Sequence, residues 1–199
     1  MRSILKVKAV GILTGLRKLQ SRKGRTYATG SILCKTPSQI EIPFCCFRNS
    51  INERLFNENK IGERVKIIGN ISNWRDSISI SIYRLALANS VYDRAEFVAI
   101  GTLQDVREDG RLLTLAIESK GSFKGQAIMR ALDIATSNTE NFKERFSLAK
   151  GRHVLARGIL RQVNDRENSR IICWLNSLDI IRERILKADT AGKGRENEQ

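Results

Sequence analysis

"IGERVKIIGNISNWR", Ile61–Arg75, returns in altered form about ninety residues later as "KGRHVLARGILRQV", Lys150–Val163. Both stretches follow the frame Gly-x-x-Val-x-x-x-Gly-x-(Ile/Leu). The frame falls on Gly62, Val65, Gly69 and Ile71, then on Gly151, Val154, Gly158 and Leu160. Two more pairs keep the spacing. "VGIL" at Val10–Leu13 meets "IGTL" at Ile100–Leu103, and "NERLF" at Asn52–Phe56 meets "KERF" at Lys143–Phe146. Three matches in one order, at offsets of 89 to 91, indicate an internal duplication joined near Ser90–Glu96.

Each half resolves into the same elements. In the first, Ile4–Thr14 reads as a strand and Leu16–Arg25 as a basic hairpin arm turning at Lys23–Gly24. Thr26–Cys34 returns as a second strand, with Ala28, Gly30, Ile32 and Cys34 on one face and Tyr27, Thr29 and Ser31 on the other. Gln39–Phe47 is a third strand. Ser50 and Glu53 form a capping box opening a short helix through Leu55 and Phe56. Val65–Ser72 is the fourth strand and Ser77–Leu85 the fifth, where Ile78, Ile80 and Ile82 alternate with Ser79, Ser81 and Tyr83. The second half gives Phe97–Val106, a hairpin at Asp109–Gly110, Leu112–Glu118, Ala127–Leu132, a helix near Asn141–Leu148, Val154–Val163 and Arg170–Leu175. Five strands with a helix between the third and fourth is the order of an OB-fold, a small Greek-key barrel. The expected fold is all-β with one short helix per unit: two tandem five-stranded OB-fold barrels, residues 1–92 and 93–186, then a disordered polar tail at 187–199.

Composition narrows the function. The net charge of +14 suits a polyanion partner, since neutralising phosphates releases condensed counterions. Residues 1–94 hold 17 Lys/Arg against 6 Asp/Glu, and residues 95–199 hold 18 against 15, so the excess belongs mainly to the first half. No apolar run approaches a membrane span and the N-terminus does not read as a signal peptide, so the expected location is the cytoplasm, at the nucleoid, with no membrane partner. Cys34, Cys45, Cys46 and Cys173 lack C-x-x-C spacing, and with the lone His153 they make no zinc site. They read as small buried hydrophobes in a reducing compartment, and no metal or cofactor is expected. There is no Walker loop and no Gly-x-Ser-x-Gly, and His153 occupies the slot where the first repeat has Arg64. The acidic residues Asp76, Glu108 and Asp109 fall in turns, and the basic half offers no carboxylate cluster for a nuclease metal. The chain does not read as an enzyme.

"VGIL…RKGRTYATGSIL", "CFRNSINERL" and "GERVKIIGNISNW" resemble the bacterial-type single-stranded DNA-binding protein family. The likeness runs through residues 4–87, and more loosely through 97–180 on "IGTL" and "GRHVLARGIL". It implies that bases stack on aromatics of the sheet and hairpins while Lys and Arg follow the backbone. On this match Phe47 is the aromatic ending strand three and Trp74 the tryptophan after strand four. Glu41 stands where the family commonly has a further tryptophan, and there it would repel phosphate. The family's acidic tail ending in Pro-Phe is absent; the chain ends "KADTAGKGRENEQ". That departure puts docking of host factors in question and points to a plasmid, phage or divergent organellar-type relative. The family's usual set of four barrels implies a homodimer.

Stacking on an aromatic is worth about 1–3 kcal/mol per base and tolerates any sequence. The candidate platforms are Tyr27, Phe47, Trp74 and Tyr83. The sharpest cationic cluster is Arg17, Lys18, Arg22, Lys23 and Arg25, five cations in nine residues without an acid, on the loop that borders an OB-fold's binding face. Arg48 and Arg75 flank Phe47 and Trp74. In the second half the candidates are Phe123 and Lys124 in one loop, with Arg157, Arg161 and Trp174 around the strand 4–5 hairpin. Trp174 and Ile172 oppose Ile171, Cys173 and Leu175 on their strand, and either set could face out. The expected division is a first barrel that binds and a second that extends the site or dimerises, testable by deleting residues 1–94. The function indicated is sequence-independent binding and protection of single-stranded DNA during replication, repair, recombination or transfer, alongside other proteins of those processes. Two alternatives stay open: an RNA-binding OB protein, and a recombination-mediator or primosome assembly protein that binds DNA weakly.

Overall fold

A computed structural model describes residues 4–35, 39–57, 60–74, 77–89, 92–106, 112–123, 126–136, 146, 149–165 and 168–181. The first half contains β1 (Ile4–Gln20), β2 (Thr26–Cys34), β3 (Ile40–Cys46), α1 (Asn49–Asn57), β4 (Arg64–Trp74) and β5 (Ser77–Leu87). The second contains β6 (Arg94–Val106), β7 (Leu112–Phe123), β8 (Gln126–Ala135), β9 (His153–Asp165) and β10 (Asn168–Ile180). The Asp109–Gly110 hairpin, residues 90 and 91 of the joint and the tail at 187–199 lie outside the described residues. Of the second expected helix, near Asn141–Leu148, only Phe146 is described, and it is fully buried.

Each half closes as an OB barrel. β1 pairs with both β2 and β4, β2 with β3, and β4 with β5, and a short parallel contact of β3 with β5 seals the first barrel. β6 to β10 repeat this order, sealed by the parallel contact of β8 with β10.

The echoed glycines mark what the barrel needs. Gly62 and Gly151 have φ of +88° and +78°, a left-handed turn open to glycine at little cost. Each amide then donates to strand one of its own barrel, Gly62 to the Leu13 carbonyl and Gly151 to that of Leu103, both at 2.8 Å. Gly69 and Gly158 lie where the neighbouring strand crosses tightly. A Cβ on Gly69 would stand 2.5 Å from the Ser81 carbonyl oxygen, and one on Gly158 1.9 Å from that of Trp174. The bulge in β1 between Leu13 and Gly15 recurs in β6 between Leu103 and Asp105.

The two barrels are fused edge to edge. The first part of β1 pairs antiparallel with β6, from Ile4 opposite Ile100 to Val10 opposite Arg94, making one ten-stranded sheet. Val7 and Ala9 of β1 and Phe97 and Ala99 of β6 belong to one continuous buried cluster spanning both halves. Asp93, just before β6, fastens the joint: its carboxylate takes the Arg64 guanidinium on Oδ1 and the Lys35 N–H on Oδ2 at 2.7 Å. The pairing also satisfies backbone groups that β1 and β6 would otherwise leave as open edges.

Two expectations need correcting. β1 does not stop at Thr14 but runs through the bulge to Gln20, so Leu16–Gln20 of the basic arm is sheet and Ser21–Arg25 its turn. The Ser50–Glu53 capping box does not form as expected. The first carbonyl accepting helical bonds is that of Arg48, from the amides of Ile51 and Asn52, which puts Ser50 inside the first turn. The four cysteines are free thiols. Burial pushes the Cys34 thiol up to about 11 and that of Cys173 to about 12. Among the described residues no helix is long and apolar enough to cross a membrane.

Candidate nucleic-acid interface

The arm is a built hairpin. The Ser21 amide donates to the Arg25 carbonyl at 2.8 Å, the Gly24 amide to that of Ser21 at 2.9 Å, and the Arg25 amide to the Ser21 hydroxyl at 3.0 Å. Gly24, at φ +74°, supplies the left-handed corner. Between this hairpin, the end of β3 and the start of α1 lies a groove of about 960 Å³, whose lining includes Lys18, Arg25, Phe47, Arg48, Asn52, Glu53 and Phe56.

Strand alternation fixes the aromatic floor. In β3, Ile40, Ile42, Phe44 and Cys46 point into the core, so Phe47 turns outward and is 60% exposed. It does not plug the barrel. Tyr27, on the outward face of β2, stacks on it with ring centroids 5.2 Å apart and planes 23° from parallel. Tyr83 faces out from β5, half-buried, with the Arg48 guanidinium 6.0 Å from its ring centre, and the Lys18 ammonium stands 6.0 Å from the Phe56 ring. Four predicted residues of the first half, Lys18, Arg25, Phe47 and Arg48, therefore converge in one groove, with Tyr27 and Tyr83 in ring contact with it. Arg17, Arg22 and Lys23 are exposed on the arm outside the groove's lining. Among the described residues none of these six cations has an ion-pair partner. Arg75 lies outside the described residues, as does the side chain of Trp74.

Glu41 does not stand as a bare charge on this half. It accepts the Ser31 hydroxyl at 2.6 Å and the Thr14 hydroxyl at 2.9 Å. The Ser31 bond first, then that of Thr14, holds its carboxyl below the usual range. The second half has a related pair, with the Thr114 hydroxyl donating to Asp133 at 2.8 Å.

The second half gathers fewer of its candidates. Cys173 and Leu175 are buried, so Trp174 and Ile172 form the outward set, and the Arg161 guanidinium covers the Trp174 ring at 4.4 Å. Arg157 is engaged by Asp179 at 3.3 Å and stands apart from this stack. Phe123 ends β7, and its side chain and all of Lys124 lie outside the described residues. His153 faces the Thr102 hydroxyl at 3.3 Å, a strand-to-strand contact. Among the described residues no group of three or more His, Cys, Asp or Glu side chains could hold a metal ion.

Sequence reasoning missed Asn52, Glu53 and Phe56 as groove residues. The available signal was Asn52 itself: it precedes buried Leu55 by three positions, so a polar amide sits on the helix's apolar face.

No family model and no curated protein matches the chain. Solved structures do. The wild-type single-stranded DNA binding protein from Thermus aquaticus is similar over 99% of this chain and 98% of its own, with TM-score 0.68 and 14% identity. A deletion mutant of the Thermus aquaticus protein is similar over 94% and 99%, with TM-score 0.68 and 15% identity. The mitochondrial single-stranded DNA binding protein Rim1 from S. cerevisiae matches 42% of this chain, with TM-score 0.38 and 16% identity. At such identities the two Thermus likenesses establish a shared two-barrel OB architecture.

Proposed function

We propose that this chain binds single-stranded DNA without a required sequence and protects it during replication, repair, recombination or transfer. The observation that carries the reading is the groove of the first barrel. An aromatic stack, half-buried Tyr27 on exposed Phe47, is flanked by Lys18, Arg25 and Arg48, three cations without acidic partners among the described residues. Bases gain stacking on such a floor whatever their identity, and phosphates gain charge on its rim. A duplex keeps its bases stacked inside and presents none to Phe47. The structural likeness to the Thermus aquaticus protein, named for binding single-stranded DNA, supports the same reading.

In this reading the chain is a binding protein, not an enzyme, acting in the cytoplasm at the nucleoid beside other replication or recombination proteins. Residues 1–92 and 93–186 are its two barrels, and two chains form a homodimer of four. The Arg161–Trp174 stack extends the path onto the second barrel.

Fluorescence anisotropy of labelled oligo-dT tests it, with duplex DNA and oligo-rU of equal length as competitors. Tight binding that duplex fails to compete away supports the reading. Equal competition by duplex sinks it, and stronger competition by oligo-rU reassigns the groove to RNA.

A further inference from the structure

Asn52 sits where its chemistry is a burden to the fold. It is 4% exposed, and neither its amide nitrogen nor its amide oxygen has a hydrogen-bond partner among the described residues. A buried amide left unpaired destabilises the folded state, and an apolar side chain of the same branched shape, such as leucine, would serve the helix face better. Yet Asn52 lines the groove, as do its neighbour Glu53 and the aromatics Phe47 and Phe56. Glu53 is exposed and has no ion-pair partner among the described residues, although Lys18 and Arg25 line the same groove.

We propose that Asn52 and Glu53 make this groove a selective subsite for one amino-bearing base, cytosine or adenine, within an otherwise indifferent strand. The inference rests on the single-strand reading above. An asparagine amide offers one donor and one acceptor side by side, which matches the amino group and adjacent ring nitrogen of adenine or cytosine. Turning the amide toward a base breaks no existing hydrogen bond. The Glu53 carboxylate only accepts, so it favours an exocyclic amine and opposes the carbonyl that thymine presents at the same place. Phe47 supplies the stacking face, and Lys18, Arg25 and Arg48 hold the flanking phosphates. The strand binds wherever it meets the groove, and the preferred base sets the register in which it rests.

The test uses the full chain and a labelled oligo-dT carrying one central dC, one central dA, or neither. The substituted strands should bind on the order of tenfold more tightly than all-dT, as expected for a well-made bidentate contact. Replacing the central dC by 2-pyrimidinone, which lacks only the amine, should return binding to the all-dT level. Asn52→Leu and Glu53→Gln should each reduce the ratio of dC to dT affinity. Asn52→Leu should also raise the Tm, an outcome a purely structural amide would reverse. Glu53→Gln, on the exposed side of the helix, keeps the test open if Asn52→Leu fails to fold. Equal binding of all three oligomers by the unaltered chain overturns the subsite and leaves the single-strand reading standing. Failure to bind any of them overturns the reading itself.

Discussion

The groove's cations should reveal themselves in the salt dependence of binding. Lys18, Arg25 and Arg48 line the groove without acidic partners among the described residues, so each is available to neutralise a phosphate. On single strands each such contact contributes about 0.7 to the slope of log affinity against log salt. Replacing all three by alanine should flatten the slope by about 2. Across a fourfold rise in salt, from about 50 to 200 mM, that flattening amounts to roughly 20-fold less loss of affinity than in the unaltered chain. Arg157 is the control. It already faces Asp179 at 3.3 Å, so Arg157→Ala should change the slope by no more than about 0.3. Anisotropy titrations of labelled oligo-dT over this salt range measure both. A triple variant that binds more weakly at every salt with an unchanged slope would refute the reasoning, because the loss would then come from stacking or folding. So would an Arg157 variant that flattens the slope as much as one groove cation does, since charge would then act as a diffuse field.

Three predictions concern the scaffold. Asp93→Ala should cost about 2–3 kcal/mol in urea unfolding. It strands the Arg64 guanidinium and the Lys35 amide, and Arg64, 29% exposed, recovers part of the loss from water. An effect below about 0.5 kcal/mol would show that the clasp does not fasten the joint. Gly158→Ala should cost about 3 kcal/mol or more, because its Cβ meets the Trp174 carbonyl at 1.9 Å, whereas Gly62→Ala meets nothing within 4 Å and should cost only about 1–2 kcal/mol of left-handed strain; the reverse order of urea midpoints would contradict the packing. The lowered carboxyl of Glu41 stabilises the fold above its unfolded value of about 4.3, and that contribution fades as pH falls through the lower folded value. Glu41→Gln should therefore flatten the acid side of the stability profile below about pH 4.3, and an unchanged profile there would mean that the hydroxyls do not hold the charge.

What could be read from the sequence was what side-chain identity must satisfy. The two glycines of the repeated frame are a left-handed corner, which strains any other residue, and a strand crossing with no room for a Cβ, and both halves make the same demands. The alternation of Ile78, Ile80 and Ile82 with serines was legible for the same reason: the core admits one set and rejects the other. The extension of β1 to Gln20 was hidden because an outward basic strand beyond a bulge has the composition of a loop. Phe47 could be picked out as a candidate but not oriented, since its exposure depends on where β3 ends. The pairing of β1 with β6 left no trace at all. It is made of backbone hydrogen bonds, and Val7, Ala9, Phe97 and Ala99 look like the inner face of any barrel strand.

That pairing also decides how the division of labour between the halves must be tested. The duplication kept the scaffold: the amides of Ala88 and Ile181 both close onto strand four of their own barrel, at the carbonyls of Arg64 and His153, each at 2.9 Å. It did not keep the charges. The Arg64 side chain reaches Asp93, while that of His153 meets only the Thr102 hydroxyl among the described residues. The first barrel carries an aromatic groove with unpaired cations, and the second carries an arginine already resting on its tryptophan. Deleting residues 1–94 to isolate the second barrel would remove β1 and strip β6 of its partner from Ala95 to Ile100. An unpaired edge of that length invites association with any other strand. Loss of binding in the truncated chain would then report a damaged sheet as readily as a missing site. Point substitutions on outward residues avoid that ambiguity. Phe47→Ala in the first barrel and Trp174→Ala in the second leave the β1–β6 pairing intact, and each should lose roughly the 1–3 kcal/mol of one base stack only if its own barrel holds the strand. If Trp174→Ala costs nothing and Phe47→Ala costs the full amount, the second barrel acts through the joint and not through contact.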